Sequence, residues 1–132
     1  PPGWLAGFHV ASYRRMPRYS GVDMATTLWA FGKLQMRAEP LWVKQALREA
    51  ARVLPALSPT SMARIVCALA HMRQRPSEAW VDGFCEAAYR KLPSFSPGEL
   101  SRTLWALATL NCHVDKVCVC GGNLWWCTRT GM

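Results

Sequence analysis

Between residues 20 and 35, Met24, Leu28, Phe31 and Gln35 fall along one helical stripe, and Thr27 and Leu34 widen it. The same stripe returns as Met62, Val66 and Leu69, and again as Leu100, Leu104 and Leu107. A gapless shift of 38 residues also aligns Trp4, Trp42 and Trp80; Pro17, Pro55 and Pro93; and Ser20, Ser58 and Ser96. Ala30, Ala68 and Ala106 form a small-residue column that continues in Gly32, Ala70 and Ala108, where a neighbouring helix could approach closely. Each period thus predicts two helices. The first opens at Ser20, Ser58 or Ser96, and in "SPGE" Ser96 is the N-cap, Pro97 the first helical residue and Glu99 the returning carboxylate of a capping box. The second begins near Trp42 or Trp80 and runs to Leu54 or Leu92, where Pro55 or Pro93 stops it. The chain opens on a copy of this second helix, because "PPGWLAGFHVASYRRMP" matches "EPLWVKQALREAARVLP" through Trp4, Arg14, Met16 and Pro17. Helices of about 13 to 17 residues, roughly 20 to 25 Å long, are expected.

One hairpin of this size cannot cover both flanks of its apolar stripe, whereas stacked copies cover one another. The predicted fold is all-α, an α-solenoid of antiparallel helical hairpins with a 38-residue repeat. Residues 1–116 form the helical-repeat domain: the second helix of a partial repeat in 1–19, repeats in 20–57 and 58–95, and a partial repeat in 96–116. Residues 117–132 read as an irregular tail rich in Cys and Trp. Both ends cut through a repeat, so exposed stacking faces are expected there. Trp4, Trp42 and Trp80 are core candidates, and Trp29 and Trp105, beside the stripe in Ala-rich helices, read as packing residues in preference to platforms for nucleic-acid bases.

Composition narrows the class of partner. Sixteen Lys and Arg against eight Asp and Glu give a formal charge of +8, which favours a polyanion or an anionic membrane surface. No apolar run approaches the 18 or so uncharged residues of a membrane span. The first residue is Pro, so the chain reads as a fragment or a mature form. Cys67 and Cys85 stand in columns that carry Trp or Leu in other copies and read as small buried hydrophobes, which points to a reducing compartment.

The motifs "TLWAFGKL" and "TLWALATL", the Pro that closes the second helix and the "LSP" or "FSP" that starts the next unit resemble the octotricopeptide repeat family across residues 2 to about 113. They are also similar to the helical arrays that precede the RAP domain in FAST-kinase-like proteins. The resemblance implies an α-solenoid of an algal or protist organelle, mitochondrion or chloroplast, that binds RNA in transcript maturation, stability or translation, or is built into an organellar ribosome. Gly21 and Cys67 depart from the Pro and Trp of the other copies, and no RAP-like domain follows.

If packing fixes the repeated positions, recognition can reside in the variable ones. Thr26, Arg64 and Arg102 form one column opposite the stripe; Lys33, His71 and Thr109 form the next; Arg37, Arg75 and His113 lie beyond. Stacked repeats would turn these columns into ladders along which a phosphate chain can run, with polar groups meeting base edges. Arg14, Arg52 and Arg90 form a second ladder on the other helix, among several carboxylates. A solvated helix face is usually charged, but three registered columns favour recognition.

No Gly-rich phosphate loop lies between a strand and a helix, and His9, His71 and His113 fall in different columns, so neither catalysis nor a cofactor is expected. Cys112, His113, Cys118, Cys120 and Cys127 are numerous enough to hold zinc but lack paired C-x-x-C spacing, so the tail reads instead as an apolar contact made by Trp125 and Trp126. Two functions remain open. One is an organellar RNA-binding protein that contacts ribosomal or messenger RNA through the basic helix face within a larger ribonucleoprotein such as a mitochondrial ribosome. The other is a protein-binding scaffold subunit, docking through its repeat ends and tail without RNA contact.

Overall fold

The computed structural model describes residues 3–35 and 37–112. The protein is all-α, and among the described residues no strand occurs. Among the described residues six helices follow one another: α1 Trp4–Arg15, α2 Gly21–Leu34, α3 Pro40–Val53, α4 Pro59–His71, α5 Glu78–Lys91 and α6 Pro97–Thr109. The even-numbered helices pack closely side by side, α2 on α4 and α4 on α6, while α1, α3 and α5 touch more sparsely in a second layer.

The even helices start where the serines predict. Ser20 Oγ accepts from the Asp23 N–H at 3.2 Å, Ser58 Oγ from the Ser61 N–H at 3.2 Å and Ser96 Oγ from the Glu99 N–H at 3.1 Å. Asp23 and Glu99 return the bond to the cap N–H and complete capping boxes. The same helices end on Gln35, Arg73 and Asn111, all with positive φ (51°, 54° and 54°). This left-handed turn lets the Gln74 N–H reach the Leu69 carbonyl and the Cys112 N–H the Leu107 carbonyl, each at 3.0 Å. Gln35 is therefore an exposed helix terminator and not the last member of the apolar stripe.

The odd helices end earlier than expected, at Arg15, Val53 and Lys91. Met16–Arg18, Leu54–Ala56 and Leu92–Ser94 tighten into 3-10 turns that place Pro17, Pro55 and Pro93 where a missing N–H costs little.

Between the layers lies one apolar core containing Met16, Met24, Leu28, Trp42, Leu69 and Phe84, all nearly inaccessible. Each buried tryptophan of the odd layer anchors to the preceding odd helix: the Trp42 indole N–H donates to Ser12 Oγ at 2.8 Å, and that of Trp80 to the Leu47 carbonyl at 2.9 Å. Trp4 corrects the third core assignment. It is 63% exposed, since α1 has no earlier helix to lean on among the described residues, and it stacks on Phe8 at 5.6 Å.

The small-residue column does what its size suggests: a Cβ on Gly32 would lie 3.2 Å from the Ala68 Cα, so α2 and α4 meet backbone to backbone. At Gly21, a Cβ would stand 2.5 Å from Leu57 Cδ2, a space the Leu57 side chain fills.

Leu34, Leu100 and Leu104 are exposed although the stripe includes them. They line apolar grooves at the two ends, one with Trp4, Phe8 and Phe31, the other with Phe84, Tyr89 and Leu107. Cys67 and Cys85, like Cys112, are half-buried rather than buried. His113, Cys118, Cys120, Cys127, Trp125 and Trp126 lie outside the described residues, as does the assigned tail 117–132.

Candidate nucleic-acid interface

Three close-packed helices bring their outward columns onto one continuous surface. Thr26 and Lys33 on α2, Arg64 and His71 on α4, and Arg102 and Thr109 on α6 are all exposed. Arg37 and Arg75 are exposed as well, but they follow the left-handed residues Gln35 and Arg73 and so belong to the connections after α2 and α4, not to the helices themselves.

Among the described residues the ion pairs are confined to the other layer. Arg52 Nε binds Glu49 Oε2 at 2.7 Å, with Arg52 Nη2 on the Tyr19 carbonyl at 3.1 Å, and Arg90 Nη2 binds Glu86 Oε1 at 3.2 Å. Two members of the ladder Arg14, Arg52, Arg90 thus have a carboxylate on their own helix, whereas among the described residues Lys33, Arg64, Arg37 and Arg75 have no ion-pair partner. Exposed cations also lie on the odd layer, at Arg14, Arg15, Lys44 and Arg48, so what sets the even layer apart is the register of its cations on three closely packed helices.

Two carboxylates stand in corresponding positions on the even layer, Asp23 at the start of α2 and Glu99 at the start of α6; Asp23 is held by the Ser20 N–H at 3.0 Å, and Glu99 is held twice. Glu99 Oε1 accepts the Ser96 N–H at 2.8 Å and its Oε2 accepts the Thr60 hydroxyl at 2.5 Å, a bond that ties α6 to α4. The backbone N–H of Ser96 first, then the Thr60 hydroxyl, hold its pKa below the ordinary value, and nearby Arg102 adds to the effect. Glu99 is thus committed to structure, and Arg102 lies near it while donating its Nε–H to the Gly98 carbonyl at 3.2 Å.

The tryptophans of the even layer overturn their assignment to the core. Trp29 is 44% and Trp105 48% exposed, and both lie on the same surface as the cations. Lys33 Nζ stands 5.4 Å from the centre of the Trp29 ring and the Arg64 guanidinium 6.0 Å. His71 lies 5.3 Å from Trp105, ring centre to ring centre. Between the two tryptophans, Cys67 occupies the same column on α4, its thiol 3.5 Å from the Arg102 carbonyl. Burial raises the pKa of Cys67, against a smaller opposing effect of Arg102. Trp29, Thr60, Arg64, Cys67, Glu99 and Arg102 line a hollow of about 120 Å³.

The sequence hides this placement because a tryptophan in an Ala-rich helix resembles a core residue. The usable signal was angular. Trp29 and Lys33 are four residues apart and so share a helix face, and Lys33 is a solvent residue.

The described residues form an all-helical protein whose even layer sets cations and two half-exposed tryptophans side by side on three packed helices. Residues 2–121 match the family model described as Tbc2 translation factor, N-terminal domain, and the chain belongs to that family. Searches of curated proteins and of solved structures found no match. No helix among the described residues is long and apolar enough to cross a membrane.

Proposed function

We propose that this chain is an organellar RNA-binding helical-repeat protein that acts in translation and holds ribosomal or messenger RNA on the layer formed by α2, α4 and α6. The reading rests above all on exposed cations that recur on three adjoining helices and, among the described residues, stand in no ion pair. The family's description as a translation factor domain agrees with an RNA partner. Helices that pack closely in one layer and sparsely in the other support a curved α-solenoid with a 38-residue repeat and the basic layer on its inner side. Membership of the octotricopeptide repeat family, location in a mitochondrion or chloroplast of an alga or protist, and a role without catalysis belong to the same proposal. The apolar grooves at the two ends favour an additional protein contact, as in a ribonucleoprotein where neighbours pack on the stack.

The test is the salt dependence of RNA binding. Arg64→Ala and Arg102→Ala should each flatten the slope of log affinity against log salt by about 0.7 for single-stranded RNA. Slopes equal to that of the parent protein would remove both arginines from the interface.

A further inference from the structure

We infer that Trp29 and Trp105 are stacking platforms for unpaired bases, so that the ligand of the basic layer is single-stranded RNA and not an RNA duplex; the inference rests on the RNA-binding reading above. Three observations carry it. Both rings are about half exposed in a protein whose Trp42 and Trp80 are buried and hydrogen-bonded. Both lie beside groups that can bind the flanking phosphates, the cations Lys33 and Arg64 at Trp29 and the imidazole of His71, a hydrogen-bonding group, at Trp105. Both occupy one column on α2 and α6, with Cys67 between them on α4.

The spacing selects the form of the RNA. Neighbouring packed helices lie about 8 to 10 Å apart, so platforms on α2 and α6 are separated by roughly 16 to 20 Å. Stacked bases in a duplex strand are only about 3.4 Å apart, so adjacent stacked bases cannot meet both rings. Bases inside a duplex also have no free face to offer. A strand that reaches both platforms must be unpaired and drawn out, with intervening nucleotides crossing α4, where Cys67 provides no ring and exposed Arg64 can meet the backbone. Base stacking on aromatic side chains tolerates any base, so the platforms add affinity for single strands with little sequence preference.

The experiment compares three probes on the full chain: an oligouridylate, a duplex of the same length, and a single strand in which abasic sites replace the bases. Trp29→Leu and Trp105→Leu should each weaken oligouridylate binding about tenfold, leave the other two probes unaffected and leave the salt slope unchanged. Circular dichroism at the helical minimum, equal to that of the parent, shows that the variants fold, and Trp29→Phe should recover part of the loss. If the parent binds RNA and the double tryptophan variant binds oligouridylate equally well, the stacking inference fails while the RNA-binding reading stands. If the parent binds none of the probes at low salt but captures a polyglutamate peptide, both fail and the layer is a protein-binding surface.

Discussion

The Arg64 guanidinium of α4 stands 6.0 Å from the centre of the Trp29 ring of α2, so a cation of one helix lies against the exposed aromatic ring of the next. Such a contact at an exposed site is worth about 0.5 to 1 kcal/mol. Stacking of a base is worth about 1 to 3 kcal/mol, enough to displace the cation and release it toward a phosphate. For stability alone, Trp29→Ala, with about half its surface covered, should cost about 1 to 2 kcal/mol, whereas Trp42→Ala, in the sealed core, should cost about 3 to 5 kcal/mol. Urea unfolding of both variants checks the contrast, and equal losses would return Trp29 to the core.

The Trp42 indole and Ser12 hydroxyl, 2.8 Å apart, join α3 to α1. Ser12→Ala strands a buried N–H and should cost about 1 to 3 kcal/mol, measurable in the same unfolding experiment. A loss below about 0.5 kcal/mol would mean that the indole finds another acceptor.

Gly32 sets the spacing of the basic layer. Gly32→Val would drive a branched side chain into the Ala68 backbone and should cost about 1 to 3 kcal/mol, weakening RNA binding as α2 and α4 separate. Undiminished stability would show that the two helices can part freely.

How much of this was legible in the sequence depended on the kind of signal. Ser20, Ser58 and Ser96 announce their helices because a hydroxyl cap is a local device, and the core positions of Met24, Leu28, Met62 and Leu69 follow from periodicity. The helix ends at Gln35 and Arg73 were hidden because a left-handed residue is readable only when it is Gly or Asn, and the chain uses Gln and Arg there. Trp4, Leu100 and Leu104 carry the core pattern yet are exposed, because burial at a stack end depends on a neighbour and not on the residue itself. Of the candidate interface, the columns Thr26, Arg64, Arg102 and Lys33, His71, Thr109 were legible as a helix face; the exposed tryptophans between them were not, because helix spacing decides whether such a ring is covered.

The left-handed Arg73 offers a separate check, since a side chain in this conformation costs roughly 1 to 2 kcal/mol that glycine avoids. Arg73→Gly should raise stability by about 0.5 to 1 kcal/mol, net of the greater freedom of glycine in the unfolded chain. A lower melting temperature would contradict the assignment of this residue as the terminator of α4.

Glu99 makes stability depend on acid. Its pKa is lower in the folded protein than in the unfolded chain, so the stability it contributes is present above about pH 4.3 and is lost as pH falls through the folded value. Glu99→Gln should be less stable than the parent at neutral pH and should lose less on acidification toward about pH 3. Parallel melting curves for the two proteins across that range would rule out this role.

The most direct measurement of where RNA lies is site-specific photo-crosslinking. A photoreactive amino acid at Thr26 or Thr109, exposed on the even layer, should crosslink to bound single-stranded RNA, and one at Leu41, exposed on α3 in the other layer, should not. Crosslinks from Leu41 with none from Thr26 or Thr109 would contradict the account.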